Sequence, residues 1–368
     1  MSDSLPFNPS LTSLPVYQPG RPIDEVAREL GVPPSSVIKL ASNENPLGPS
    51  PLALAAMREA VGQTHLYPDG SAFHLKNKLA ESLGLEPANI ILGNGSNEII
   101  EFAAHALLRP GSEVVVSQYC FAIYPIVARM FGATVVTVPA VDYGHDLPAM
   151  IDAISPATRI IFVANPNNPT GTIASRPDMA RLVNETPPGV LLVLDEAYIE
   201  FLDDPVDFLP LIRAGVTPNL LLMRTFSKIY GLAGLRVGYG IGHPDVVQAL
   251  EKVRQPFNIN SVAQAAALAA LDDAEHLQKT RSINHEGLRF FENAFREARL
   301  EYVHSSANFI LVKVGDGQRV FLETQKRGVI TRPMAGYGLP EWIRISVGLP
   351  AENRRCLEAA LAARSFSS

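Results

Sequence analysis

Five short apolar runs recur along the middle of the chain: EVVVS (113–117), TVVTV (134–138), RIIFVA (159–164), VLLVLDE (190–196) and NLLLMR (219–224). They are β-branched or leucine-rich throughout and do not alternate with polar residues. That is the pattern of parallel strands covered on both faces. Helix-like segments lie between them, including Asn97 to Leu108 and Arg176 to Glu185. The spacing therefore predicts the βαβ rhythm of a doubly wound α/β domain.

At ~150 residues per domain, 368 residues suggest two or three units. The first 22 residues carry five prolines and read as an extended arm, either a disordered leader or one docked through Leu11, Leu14, Val16 and Tyr17. A short helix from Ile23 to about Leu30 follows. After residue 240 the pattern turns helical. Ser261 with Gln264 looks like a capping box opening an alanine-rich helix, and an amphipathic segment runs from about Asp273 to Arg299. Then come ANFILVKV (307–314), a helix through Lys326, the strand WIRISV (342–347) and a final helix from Pro350. The expected division is an arm with part of a small domain (1–40), a large α/β domain (41–270) and a small α+β domain (271–368).

Composition excludes several classes. A net charge of −6 argues against a nucleic-acid footprint or a polybasic membrane anchor. The apolar runs are strand-sized, far short of the ~20 residues of a membrane span, and the first twenty residues lack the basic start and apolar stretch of a signal peptide. Cys120 and Cys356 are too few for a disulfide framework and stand in no metal-ligand spacing, so no metal is expected. A cytoplasmic protein fits best.

The chemistry-bearing residues lie where strands end and helices begin, the edge at which open parallel sheets bind ligands. Gly93-Asn94-Gly95-Ser96-Asn97-Glu98 opens a helix whose amides favour a phosphate, although it misses the dinucleotide fingerprint at Glu98. Asn165-Pro166-Asn167-Asn168-Pro169-Thr170-Gly171 is a rigid turn after RIIFVA. Asp195 ends a buried strand and needs a cationic or donor partner, with Tyr198 three residues on. Lys228 follows another buried strand beside Phe226, where desolvation lowers an amine's pKa and makes it a nucleophile. Arg236 could supply a fork for phosphate. Each feature alone has an ordinary reading: a capped helix, a Pro/Asn loop, a capping aspartate, a solvated lysine. Their order matches the needs of pyridoxal phosphate, namely a Schiff-base lysine, a carboxylate for the pyridinium nitrogen, and donors for the phenolic oxygen and phosphate.

NPNNPTG, LDEAY and TFSKIYGLAGLRVGY resemble the signature of the fold-type-I pyridoxal-phosphate aminotransferases, and the likeness is strongest to their histidinol-phosphate branch. It spans essentially the whole chain, including LASNENPLGPSP (40–51), HLYPDG (65–70), SANFILV (306–312) and IRISVG (343–348). The resemblance implies a large, mostly parallel sheet domain, a small α+β domain and a homodimer with a shared active site. It implies that Lys228 bonds the cofactor and shuttles a proton, Asp195 keeps the ring nitrogen protonated, and Asn168 and Tyr198 bind the phenolic oxygen. Gly95, Ser96, Asn97, Ser227 and Arg236 would hold the phosphate, joined by Tyr67 of the neighbouring subunit. Phe121 would stack on the ring, with Tyr124 a competing assignment. Arg344 and Arg332 would bind the anionic end of the substrate, with Tyr17 and Asn45 lining the same pocket. The implied reaction moves an amino group between L-histidinol phosphate and 2-oxoglutarate, giving glutamate. An aromatic-amino-acid aminotransferase and a decarboxylase of a phosphorylated amino acid are the alternatives.

Overall fold

The computed structural model describes residues 20–365, together with Leu5, Phe7, residues 9–12, Leu14 and Val16. Strand Thr158–Ala164 shows how the apolar runs are used. Ile161 and Val163 enter one apolar layer while Ile160 and Phe162 enter the other, all essentially without solvent contact. Leu191–Asp195 and Leu220–Thr225 divide their side chains in the same way. Side chains alternate across a strand, so an unbroken apolar run supplies both faces of a covered sheet.

These strands form a seven-stranded sheet in the order 90–93, 238–242, 220–225, 191–195, 158–164, 113–117, 134–138. All neighbours pair in parallel except Gly238–Gly242, which is antiparallel to both of its partners. The expected α/β fold with a mostly parallel sheet is therefore present. Two strands, Ile90–Gly93 and Gly238–Gly242, add to the five apolar runs. The sequence GYGIG reads as glycine-rich loop, yet its glycines answer a packing demand. A Cβ on Gly238 would lie 2.4 Å from the Ser96 amide nitrogen, so only glycine lets this strand pass so close to the start of helix Ser96–Leu107.

A second, four-stranded antiparallel sheet has the order 332–333, 342–346, 309–313, 302–303. Helices Ala274–Glu297, Gly317–Lys326 and Pro350–Ser365 accompany it. Phe291, Phe295, Ile310, Ile343 and Ile345 fill a separate apolar cluster there. Ile38–Lys39 pairs in parallel with Val329–Ile330, tying the early chain to its last quarter. The turn Pro9–Leu11 packs against helix Ile123–Met130, with Leu11 and Val16 exposed. Among the described residues, no helix is long and apolar enough to cross a membrane.

One local expectation needs correcting. The alanine-rich helix is Ser261–Ala270, and its N-cap is Asn260, whose side chain accepts from the Ala263 amide at 2.8 Å. Gln264 does not close a capping box; its amide donates to the carbonyls of Asp69 and Ile259. Asparagine caps as well as serine, so one residue of register decides which is used.

Candidate active site

A cavity of about 500 Å³ opens at the C-terminal edge of the large sheet. Strand ends bring Asp195, Ser227 and Lys228 to its wall, the Pro166–Asn168 turn closes one side, and the start of helix Ser96–Leu107 closes another. Lys228 is displayed by the turn after Leu220–Thr225. Its Nζ donates to the Ser42 carbonyl at 3.3 Å and lies 5.8 Å from the centre of the Tyr198 ring. Burial, with help from the Arg344 charge, lowers its pKa to about 8. The amine is thus far easier to deprotonate than an exposed lysine, as a nucleophile requires.

Asp195 ends its strand almost without solvent contact. Oδ1 accepts from the Ala197 amide at 3.1 Å and Oδ2 from the Tyr124 hydroxyl at 2.6 Å. Burial raises the Asp195 pKa, and these two donors work against that rise. Tyr124 itself is solvent-free and stacks flat on Phe162, with ring centroids 4.6 Å apart. Phe121 lines the cavity and meets Tyr124 edge-on. The structure thus separates the two aromatic candidates: Phe121 faces the cavity, and Tyr124 lies against the carboxylate.

Tyr198 reaches the same cavity, and its hydroxyl accepts from the Asn43 amide at 2.9 Å. Burial pushes its pKa up to about 12, so it stays protonated. Asn168 lies opposite, its Oδ1 accepting from Arg344 Nη1 at 2.5 Å. Arg344 is buried, also donates to the Ala41 carbonyl at 2.9 Å, and sits 5.0 Å above the Phe309 ring. Its cationic head is therefore immobilised next to the cavity. Arg332 is its cross-strand partner in the small sheet.

Ser96, Asn97, Ser227 and Arg236 form the remaining corner of the cavity. Arg236 Nη1 lies 3.4 Å from Ser227 Oγ and donates to the Ala233 carbonyl at 3.1 Å. Gly95 precedes the helix at φ 77°, where a Cβ would stand 2.4 Å from Arg236 Nη2. Bare backbone, the first amides of a twelve-residue helix, a hydroxyl and a guanidinium thus converge, which is the donor set of a phosphate site.

Other sequence candidates lie elsewhere. Tyr67 is exposed and stacks on Phe257, centroids 4.9 Å apart, outside this cavity. Asn45 is buried and donates to the Ile229 carbonyl and the Thr280 hydroxyl. Tyr17 lies outside the described residues. Three residues around the site went unnamed in the sequence reading: Ser42 and Asn43, inside LASNENP, and Glu44, which lines the cavity. A helix-free polar segment gives no periodicity to reveal them. A further cavity, of about 440 Å³ between helix Ala274–Glu297 and residues 304–306, contains none of the candidate groups.

The profile of the aminotransferase class I and II family matches residues 35–361. A histidinol-phosphate aminotransferase of Akkermansia muciniphila is 52% identical over 352 residues, which covers 95% of this chain and 96% of that protein. A histidinol-phosphate aminotransferase of Pseudomonas aeruginosa is 48% identical, with 98% of each chain covered. The crystal structure of histidinol-phosphate aminotransferase from Sinorhizobium meliloti in complex with pyridoxal-5'-phosphate superposes with a TM-score of 0.88 at 30% identity, covering all of both chains.

Proposed function

The chain belongs to the aminotransferase class I and II family, and from that premise we propose that it transfers the amino group between L-histidinol phosphate and 2-oxoglutarate, in histidine biosynthesis. The single observation that carries the reading is the convergence of Lys228, Asp195, Tyr198, Asn168 and the Arg236 phosphate corner on one cavity. These residues fit pyridoxal 5'-phosphate. The Gly95 cradle leaves space that a Cβ would fill against Arg236, and the amine, the carboxylate and the phenol are the donor set that such a cofactor requires. When bound, the cofactor supplies an aldehyde carbon and an electron-accepting pyridinium ring.

The chain's own residues do the rest. Lys228 Nζ, easily deprotonated, would hold the cofactor's aldehyde carbon and, once the substrate amine has displaced it, would be the free base that takes and returns the proton of the amino-bearing substrate carbon. Asp195 would offer its negative charge to the ring nitrogen and favour a proton there. Tyr198 and Asn168 would bind the phenolic oxygen, and Phe121 would pack against the ring. Gly95, Ser96, Asn97, Ser227 and Arg236 would hold the phosphate.

On the substrate side, Arg344 and Arg332 receive the anionic end. The donor presents a phosphate where 2-oxoglutarate presents a carboxylate, so one basic pocket serves both in turn. Arg344, clamped to Asn168 and Ala41, is held for that task without needing to reorganise. The protein works in the cytoplasm as a homodimer in which Tyr67 reaches the partner's phosphate corner; its exposure, stacked on the exposed Phe257, supports that reading. The chain divides into an arm with part of the small domain (1–40), a cofactor domain (41–270) and the rest of the small domain (271–368).

The test is stoichiometric. Purified protein with L-histidinol phosphate and 2-oxoglutarate forms one glutamate per donor consumed. Carbon dioxide release that needs no keto acid would replace this reading with a decarboxylase.

A further inference from the structure

Asn43 occupies the left-handed region at φ 56°, is essentially solvent-free, and touches three parts of the chain. Its backbone amide donates to Ser346 Oγ at 2.8 Å, and its carbonyl accepts from the Asn308 side chain at 3.0 Å. Ser346 Oγ is 3.0 Å from Asn43 Oδ1, and Asn43 Nδ2 is 2.9 Å from the Tyr198 hydroxyl.

These bonds run in one consistent direction. A hydroxyl carries one proton and two lone pairs. In the structure Ser346 Oγ receives the Asn43 backbone proton and donates its own to Oδ1. That bond pins the oxygen of the Asn43 amide toward Ser346 and its NH₂ toward Tyr198. The Tyr198 oxygen therefore accepts, and its proton must point elsewhere. Among the described residues the hydroxyl has no other hydrogen-bond partner, and its ring lines the cavity.

We infer that Asn43 is a positioning residue that turns the Tyr198 hydroxyl into a fixed donor toward the cavity, aimed at an anionic oxygen of the bound cofactor. The inference rests on the proposal that the cavity takes pyridoxal 5'-phosphate. A donor locked before binding needs no reorientation, and Ser346 is the residue that sets its polarity.

The decisive substitution is Asn43→Asp, nearly isosteric and tolerant of the same backbone. A carboxylate can only accept, so the Tyr198 hydroxyl must reverse and donate to residue 43. Apoprotein is titrated with pyridoxal 5'-phosphate for wild type, Asn43→Asp, Tyr198→Phe and the double variant, with melting temperatures recorded alongside. Asn43→Asp and Tyr198→Phe should each weaken cofactor binding by about ten- to a hundredfold, the range for a hydrogen bond to a charged group. The double variant should be no weaker than either single one. In both single variants the pH midpoint of the visible absorbance of the lysine-bound cofactor should move up, because a phenolate without its donor is protonated more readily.

An Asn43→Asp loss that persists by the same factor in the Tyr198→Phe background, or affinity equal to wild type, would overturn the assignment. Should Asn43→Asp not fold, Ser346→Ala frees the amide to flip. It should weaken binding several-fold when Tyr198 is present and leave the Tyr198→Phe protein unchanged; an equal loss in both would overturn the role. Failure of the wild-type apoprotein to bind the cofactor at all would instead overturn the functional reading beneath it.

Discussion

The Tyr124 hydroxyl donates to Asp195 Oδ2 across 2.6 Å, at a point where neither side chain meets bulk water. Desolvation alone pushes the carboxyl toward its neutral form. The phenol is thus one of the groups that favour the charged carboxylate against that push.

Replacing Tyr124 with Phe preserves the stack on Phe162 and removes only that donor. Cofactor affinity of the apoprotein should fall roughly tenfold, with the melting temperature close to wild type. Spectroscopic titration with pyridoxal 5'-phosphate measures it, and an unchanged dissociation constant would show that Ala197 suffices.

Asp195→Asn keeps the shape and deletes the charge. The turnover number should drop by about 10²- to 10³-fold, the size of effect expected when one preorganised electrostatic group is removed. The apoprotein itself should melt close to wild type, since the cost of burying the carboxylate offsets what its donors and the nearby Lys228 charge contribute. Steady-state kinetics paired with calorimetry separates the two effects.

The pKa of Lys228 is lowered to about 8 by burial and by the Arg344 charge, against about 10.4 for an unperturbed lysine. Between those values the unfolded chain binds more protons than the folded one, so stability rises with pH there. The cost is fully present below about pH 8 and is gone by about pH 10.4. Lys228→Met apoprotein should therefore exceed wild type by about 2–3 kcal/mol at pH 7, and the gap should close by about pH 10. Denaturant melts at several pH values test this. Cofactor capture by the wild-type apoprotein should accelerate with pH through the same midpoint near 8.

Gly95→Ala should cripple the phosphate corner. The new Cβ would lie 2.4 Å from Arg236 Nη2 on a backbone at φ 77°, so the arginine must retreat. Affinity for pyridoxal 5'-phosphate should fall about tenfold or more, while affinity for pyridoxal, which has no phosphate, should change little. Equal losses for both ligands would place the phosphate elsewhere.

Much of this was written in the sequence. The central strands were legible because two-sided burial fills them largely with apolar residues, and Lys228, Asp195 and Asn168 were legible because they stand at or shortly past the ends of such runs. Gly238–Gly242 hid its strand character, since the space it must leave for helix Ser96–Leu107 demands glycine. Phe121 and Tyr124 could not be ranked from spacing. Only the packing on Phe162 sends Tyr124 to the carboxylate. Asn43 was hidden for another reason: its importance lies in contacts with Tyr198, Asn308 and Ser346, at least 155 positions away.

The most direct test of the central claim is the specificity constant for amino donors, with 2-oxoglutarate as acceptor and glutamate as the readout. L-histidinol phosphate, L-phenylalanine and L-tyrosine are compared on one preparation. An anion pocket built around Arg344 predicts that L-histidinol phosphate has the highest kcat/KM of the three. No turnover of L-histidinol phosphate while phenylalanine or tyrosine reacts briskly would contradict the account and make the protein an aromatic-amino-acid aminotransferase.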